Sequence, residues 1–178
     1  GQANDAGLKF SREDPFEIPL KYAAFSLMRC GHGQIAYNVA YGRLDSFDVQ
    51  ALDFSYEIGD GFERSTHRYG VIIFAVPVCG HMLMWPQCKT VHNMPLLTAD
   101  NIVEVVGPWQ YCGSGSLAET VFAAAGNGGL ESAGAFIEIG DGTLMISVPY
   151  RDERKWNYNL WLDKALCIAR ALAASLEE

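Results

Sequence analysis

Three residues near the middle of the chain have the types that a serine hydrolase uses. They are Ser55, His67 and Asp53, and they flank a Gly-Asp-Gly reversal at residues 59–61. If the flanking segments pair symmetrically about this reversal, Ser55 lies opposite His67, and Asp53 lies two residues along on the same face. A serine, a histidine and an aspartate in contact could act as nucleophile, general base and orienting carboxylate.

Nucleophilic catalysis also needs an exposed nucleophile on a strained turn and nearby donors for the oxyanion. The chain has no Gly-x-Ser-x-Gly segment, and the Gly-Ser-Gly-Ser stretch at 113–116 has the composition of a flexible loop. Hydroxyl, carboxylate and imidazole groups are also ordinary neighbours on the solvent-exposed face of a hairpin. We therefore assign no catalytic residue and keep a small hydrolase as the alternative function.

A second group contains four potential metal ligands, Cys79, His81, Cys88 and His92. Zinc favours tetrahedral sets of cysteine and histidine. The spacing C-x-H-x6-C-x3-H differs from the usual paired knuckles, although Cys79 and His81 would share a face of an extended segment. We expect no metal, and these four residues remain the candidates for a metal-binding alternative.

Three glycine-rich stretches, at 113–115, 126–129 and 140–142, could suggest phosphate binding. None has the spacing of a nucleotide-binding loop between a strand and a helix. We interpret them as turns and expect no bound cofactor.

Composition indicates a folded acidic domain. The chain has 178 residues, of which 49% are hydrophobic, and 13 Lys+Arg against 21 Asp+Glu give a net charge of −8. This length predicts one domain over residues 1–178. The acidic balance excludes a broad surface for nucleic acid, because such a surface needs clustered lysine and arginine. Five dispersed cysteines favour free thiols in a reducing compartment.

The hydrophobic pattern predicts a mainly antiparallel sheet. Strict alternation of apolar and polar residues at 51–58, followed by the 59–61 reversal, predicts a hairpin with Phe54 and Tyr56 on the buried face. Residues 44–48 form a short turn in this interpretation. The predicted strands span residues 35–41, 51–58, 65–76, 81–85, 102–106, 135–139 and 143–148.

Two helices are predicted late in the chain. Ser116 could cap a helix that ends at Gly126. Residues 159–176 show one apolar stripe with Leu166 at its centre. The polar Arg170 falls off this stripe. We expect the helix to dock on the sheet and Leu166 to be its most sensitive position.

These elements predict an α+β fold, a twisted, mostly antiparallel sheet with helices on one face and a C-terminal helix. The alternative is a small barrel capped by the C-terminal helix, as in pleckstrin-homology domains. Residues 1–30 are expected to form a loosely patterned lead-in.

Residues 8–76 contain motifs in a recognisable order. These are Ser11-Arg12-Glu13-Asp14-Pro15-Phe16, Gly31-His32-Gly33-Gln34, Asn38-Val39, Tyr41-Gly42-Arg43, Asp53-Phe54-Ser55-Tyr56, Gly59-Asp60-Gly61 and Arg64-Ser65-Thr66-His67-Arg68. The order resembles an uncharacterised family of bacterial proteins whose soluble domain often follows N-terminal membrane helices. The chain departs from the family at residues 53–55, where relatives tend to have Phe-Asp-Tyr.

This resemblance implies no established activity. It implies display on the cytoplasmic side of a membrane, through a segment upstream of Gly1. We therefore expect a non-catalytic interaction or regulatory module that binds a protein or a small ligand. Contact with the membrane would come only through the upstream segment.

Overall fold

Nine strands form one antiparallel sheet in the part of the chain that the computed structural model describes, which is residues 3, 6–87, 102–126, 129–150 and 159–176. The strand order is β1-β2-β3-β4-β9-β8-β5-β7-β6, so the short strands β1 and β6 are the two edges of an open sheet. The strands are β1 (Lys9–Ser11), β2 (His32–Leu44), β3 (Phe47–Ile58), β4 (Ser65–Ala75), β5 (Met82–Pro86), β6 (Glu104–Val106), β7 (Trp109–Gly113), β8 (Phe136–Gly140) and β9 (Thr143–Tyr150). This architecture confirms the α+β prediction, and the barrel alternative is wrong because the sheet does not close.

The helices are distributed over both faces of the sheet. They are α1 (Ile18–Lys21), α2 (Gly115–Ala125), α3 (Gly129–Ser132) and α4 (Asn159–Ala174), with 3₁₀ turns at Leu27–Arg29 and Gly61–Glu63. The longer helices α2 and α4 pack in one hydrophobic core against one side, here called the helix face. The segment 16–30 covers part of the other side, here called the lead-in face.

The lead-in is more ordered than the sequence suggested. The segment 16–30, which includes the short helix and the 3₁₀ turn, buries five side chains against the sheet, namely Ile18, Phe25, Leu27, Met28 and Cys30. The local pattern did not reveal this segment because two prolines and several acids interrupt any helical or strand periodicity. Its packing is decided by the sheet below it, so the sheet is sandwiched along part of its length rather than covered on one face only.

The central hairpin of β3 and β4 forms with Phe54 and Tyr56 buried on the lead-in face, as predicted. Its register is shifted by one residue from the symmetric pairing. Ser55 lies opposite Arg68, and Tyr56 lies opposite His67. The shift arises because the loop holds six residues, 59–64, including a 3₁₀ turn, rather than a reversal centred on one glycine. In a sheet, a shift of one residue moves a side chain to the opposite face.

Two strands were missed, and one turn is tighter than predicted. The chain continues beyond Gly107-Pro108 into β7, because this pair forms the reversal between β6 and β7 rather than the end of the sheet. Strand β1 is only three residues long and has no detectable alternation. Between β2 and β3, Asp45 and Ser46 both have positive φ and form a two-residue hairpin turn.

Ser114, rather than Ser116, caps helix α2. Its side-chain oxygen accepts a hydrogen bond from the backbone N–H of Leu117 at 3.3 Å. Ser116 already lies inside the first turn of the helix. Gly126, with φ of 69°, ends the helix as predicted.

Ser114→Ala is therefore expected to lower the free energy of unfolding by about 1 kcal/mol, because it leaves the Leu117 N–H without its acceptor. Ser116→Ala is the matched control and should cost less than about 0.5 kcal/mol. Urea denaturation of both variants measures the two losses. A larger loss for Ser116→Ala would contradict the assignment of the cap.

Candidate functional site

The structure does not bring the three hydrolase candidates together. Asp53 and Ser55 point to the helix face, whereas His67 shares the opposite face with Tyr56 because of the shifted register. The His67 ring stacks on Tyr56 with centroids 5.1 Å apart, and its Nε2 lies 3.1 Å from Ser65 Oγ. A base on the far side of the sheet cannot activate the Ser55 hydroxyl.

Asp53 belongs to a structural network instead. Its carboxylate accepts hydrogen bonds from the Asn38 amide at 2.9 Å and from the Tyr150 hydroxyl at 2.8 Å. Burial, a hydrogen bond with Tyr37 and the Asp53 charge together raise the pKa of Tyr150. These contacts join β2, β3 and β9, and they account for Asp53 without a catalytic role.

Only two of the four metal-ligand candidates lie within the described residues. Cys79 and His81 are both exposed, and His81 Nε2 lies 3.8 Å from Asp141 Oδ1. Cys88 and His92 fall outside the described residues. Within residues 3, 6–87, 102–126, 129–150 and 159–176, no group of three potential ligands is close enough to hold a metal ion.

A groove of about 790 Å³ opens on the lead-in face and is the candidate site. Strands β5, β7 and β8 form its floor, the lead-in forms one wall, and the β8–β9 turn forms part of the rim. Its lining residues are Ala24, Phe25, Arg29, His81, Met82, Leu83, Ile102, Glu104, Tyr111, Cys112, Gly113, Glu138, Ile139, Gly140 and Asp141. Ligand sites in proteins have volumes of this order, and most are lined by apolar side chains with a few polar groups.

The floor is set by the register of three strands. Leu83 on β5 lies opposite Cys112 on β7 and opposite Glu138 on β8, so these side chains form a row across the sheet. Phe25 and Arg29 face them from the lead-in. The row therefore places one carboxyl group beside an apolar side chain and near a thiol.

Glu138 is the polar centre of this groove. Its Oε2 accepts the backbone N–H of Ser26 at 2.9 Å, and its Oε1 accepts the Ser26 hydroxyl at 3.4 Å. Burial raises the pKa of Glu138 to about 7, against the smaller lowering effect of the Ser26 hydrogen bonds. A carboxyl group with this pKa is partly ionised at neutral pH, so it can accept hydrogen bonds from a ligand or pair with a cation.

The thiols at and beside the groove are poor nucleophiles. Burial and the nearby Glu138 raise the pKa of Cys112. Burial also raises the pKa of Cys30 to about 11, and its Sγ donates to the Ser26 carbonyl at 3.3 Å. Because the thiolate is the reactive form, neither cysteine is activated for covalent chemistry.

The sequence contains a signal for the role of Glu138. In the predicted strand 135–139, Glu138 is the one charged residue, and its neighbours Ile137 and Ile139 are buried on the helix face. A single carboxylate on an interior strand indicates either an exposed face or a partner. Here the partner is Ser26, which is 112 residues away in sequence.

Comparisons with known proteins bear on the fold alone. No family model and no curated protein matches the chain. Within the described residues, no helix combines the length and the apolar character needed to span a membrane. The chain is similar to the crystal structure of the mycobacterial trehalose monomycolate transport factor A, TtfA, with a TM-score of 0.65 and 16% identity over 98% of this chain and 90% of that one. The fold is thus one that a transport factor also uses.

Proposed function

We propose that this protein is a non-catalytic binding module whose groove holds the apolar part of an amphipathic small molecule. The groove itself carries the proposal. It has a volume of about 790 Å³, an apolar floor and one half-buried carboxyl group at its centre. Such a site supplies apolar contact area for a ligand and one polar group to orient it.

The chemistry of the lining supports binding rather than catalysis. Glu138 could exchange a proton near neutral pH, but the neighbouring Cys112 thiol is held in its protonated form. Ser55 and His67 lie on opposite faces of the sheet. The similar fold of a protein named as a transport factor for trehalose monomycolate is compatible with a module that holds a ligand without transforming it.

Display at a membrane is part of the same proposal. The resemblance of residues 8–76 to a family with N-terminal membrane helices supports tethering on the cytoplasmic side through an upstream segment. Fractionation tests this part separately. The natural full-length protein should sediment with membranes, and residues 1–178 alone should remain in the supernatant. Equal distribution of the two proteins would contradict the tether.

Ala24→Trp tests the groove directly, because Ala24 is exposed and lines it. The indole should fill part of the cavity and weaken binding of a neutral amphiphile, dodecyl maltoside, by about tenfold, which corresponds to about 1.4 kcal/mol. Displacement of the fluorescent probe Nile red below the micelle concentration measures the dissociation constant.

Ala23→Trp is the matched control, because Ala23 is also exposed but lies outside the groove. It should bind dodecyl maltoside as the wild type does. The proposal fails if the wild type shows no saturable binding, or if the two tryptophan variants weaken binding equally.

A further inference from the structure

The ionisable groups that line the groove are predominantly acidic. Glu138 lies on the floor and Asp141 lies at the rim, whereas Arg29 is the one lysine or arginine among the described lining residues. Glu104 also borders the groove, but it lies opposite Tyr111 and shares the helix face with it. His81 also lines the groove, 3.8 Å from Asp141. A cleft lined mainly by one sign of charge attracts the opposite charge.

Two of these carboxylates are already engaged, but to different degrees. Glu104 on β6 accepts, at Oε2, a hydrogen bond of 2.6 Å from the hydroxyl of Tyr111 on β7. Among the described residues, Glu138 accepts two hydrogen bonds, both from Ser26. An ionised carboxylate offers about four acceptor positions, so Glu138 retains acceptor capacity towards the groove.

The surroundings of Glu138 favour a charged donor over a neutral one. Its cross-strand neighbours are Leu83 and Met145, and Phe25 lines the same groove from the lead-in. In surroundings of lower polarity than water, a hydrogen bond from a cation to a carboxylate is stronger than one between neutral groups. A ligand ammonium would also compensate the charge that burial disfavours.

We propose that the groove selects amphipathic molecules with a primary amine head, whose ammonium group pairs with Glu138 while the apolar chain lies along Leu83 and Phe25. This inference rests on the proposed function, because it assumes that the groove binds amphipathic molecules. It adds the chemical class of the head group. An anionic head would meet Glu138 and Asp141 and would be disfavoured.

Three amphiphiles with the same chain length test the selection: dodecylamine, dodecyl maltoside and dodecanoate. Their dissociation constants are measured by Nile red displacement at about pH 8, where Glu138 is mostly ionised. Dodecylamine should bind about tenfold more tightly than dodecyl maltoside, and dodecanoate should bind most weakly. Equal binding of the three, or tightest binding of dodecanoate, would overturn the inference while leaving the binding function intact. Binding of none would overturn both.

Glu138→Gln identifies the group responsible, because the glutamine carbonyl can still accept the Ser26 N–H. The variant should lose the preference for dodecylamine and keep its affinity for dodecyl maltoside. Asp141→Asn removes an exposed charge from the rim and should keep the preference. Ala24→Trp should also weaken the binding of dodecylamine. This result would distinguish binding in the groove from a general attraction of the amine to an acidic protein. A preference that survives Glu138→Gln would contradict the assignment.

Discussion

Truncating Leu172 to alanine should lower the free energy of unfolding by about 2–5 kcal/mol, the usual cost of removing a fully buried leucine side chain. Leu172 has no exposed surface and lies in the core on the helix face. Helix α4 packs against α2 and the sheet in this core, so the lost methyl groups leave a cavity that neighbouring side chains cannot readily fill. Denaturant unfolding monitored by circular dichroism measures the loss.

Leu160→Ala is the matched control in the same helix, because the Leu160 side chain is 64% exposed. It should cost less than about 0.5 kcal/mol. The loss in free energy of unfolding for Leu166→Ala should fall between those of the two variants, because Leu166 is half-buried at the edge of the core. An isolated helix of this length is only marginally stable in water, so α4 depends on docking. Small and equal losses for Leu172 and Leu160 would show that the helix is not docked.

The position of Leu166 illustrates what periodicity can and cannot predict. The stripe in residues 159–176 correctly predicted a helix with one buried side. Its buried residues are Leu162, Ala165, Ile168, Ala169 and Leu172. The small residues Ala165 and Ala169 therefore mark where the helix comes closest to the core, and the larger Leu166 lies at the edge of this contact. The predicted stripe runs through Leu162, Leu166, Ala169, Leu172 and Leu176. It is correct at Leu162, Ala169 and Leu172, whereas Leu166 is half-buried and Leu176 lies beyond the helix end and is 56% exposed.

Strands were predictable where one face is polar and the turns are specific. Residues 51–58 alternate strictly, and Asp141-Gly142 forms the tight turn between β8 and β9, where both residues have positive φ. The register of β3 with β4 depends on the conformation of a six-residue loop, which composition does not specify. That single shift separates Ser55 from His67.

The groove could not be predicted because it depends on contacts that are distant in sequence. Its wall comes from residues 24–29 and its floor from β5, β7 and β8. Neither the order of β8 and β5 in the sheet nor the position of the lead-in follows from local patterns. Ser26 and Glu138 are 112 residues apart in the sequence, and only the fold brings them into hydrogen-bonding contact.

Glu138→Gln should stabilise the protein at alkaline pH and have little effect in mild acid. Burial raises the pKa of Glu138 from 4.5 to about 7, so the folded state disfavours the ionised form. Between these two values the unfolded chain has lost a proton that the folded protein still holds, and stability therefore falls as pH rises. Glutamine does not titrate and escapes this loss. From about pH 5.5 to about pH 8, the advantage of the variant should grow by at most about 2 kcal/mol, since one pKa unit corresponds to about 1.4 kcal/mol.

Urea unfolding of the wild type and the variant at both pH values measures this change, and Glu63→Gln is the control. Glu63 is exposed in the loop between β3 and β4, and its substitution removes the same formal charge from the acidic chain. Its effect should stay below about 0.5 kcal/mol at both pH values. A Glu138→Gln advantage that stays constant with pH would mean that the carboxyl is ionised in the folded protein throughout this range. The raised pKa of Glu138 would then be wrong, whereas the pairing of Glu138 with a ligand ammonium would stand, because that pairing needs the ionised carboxylate.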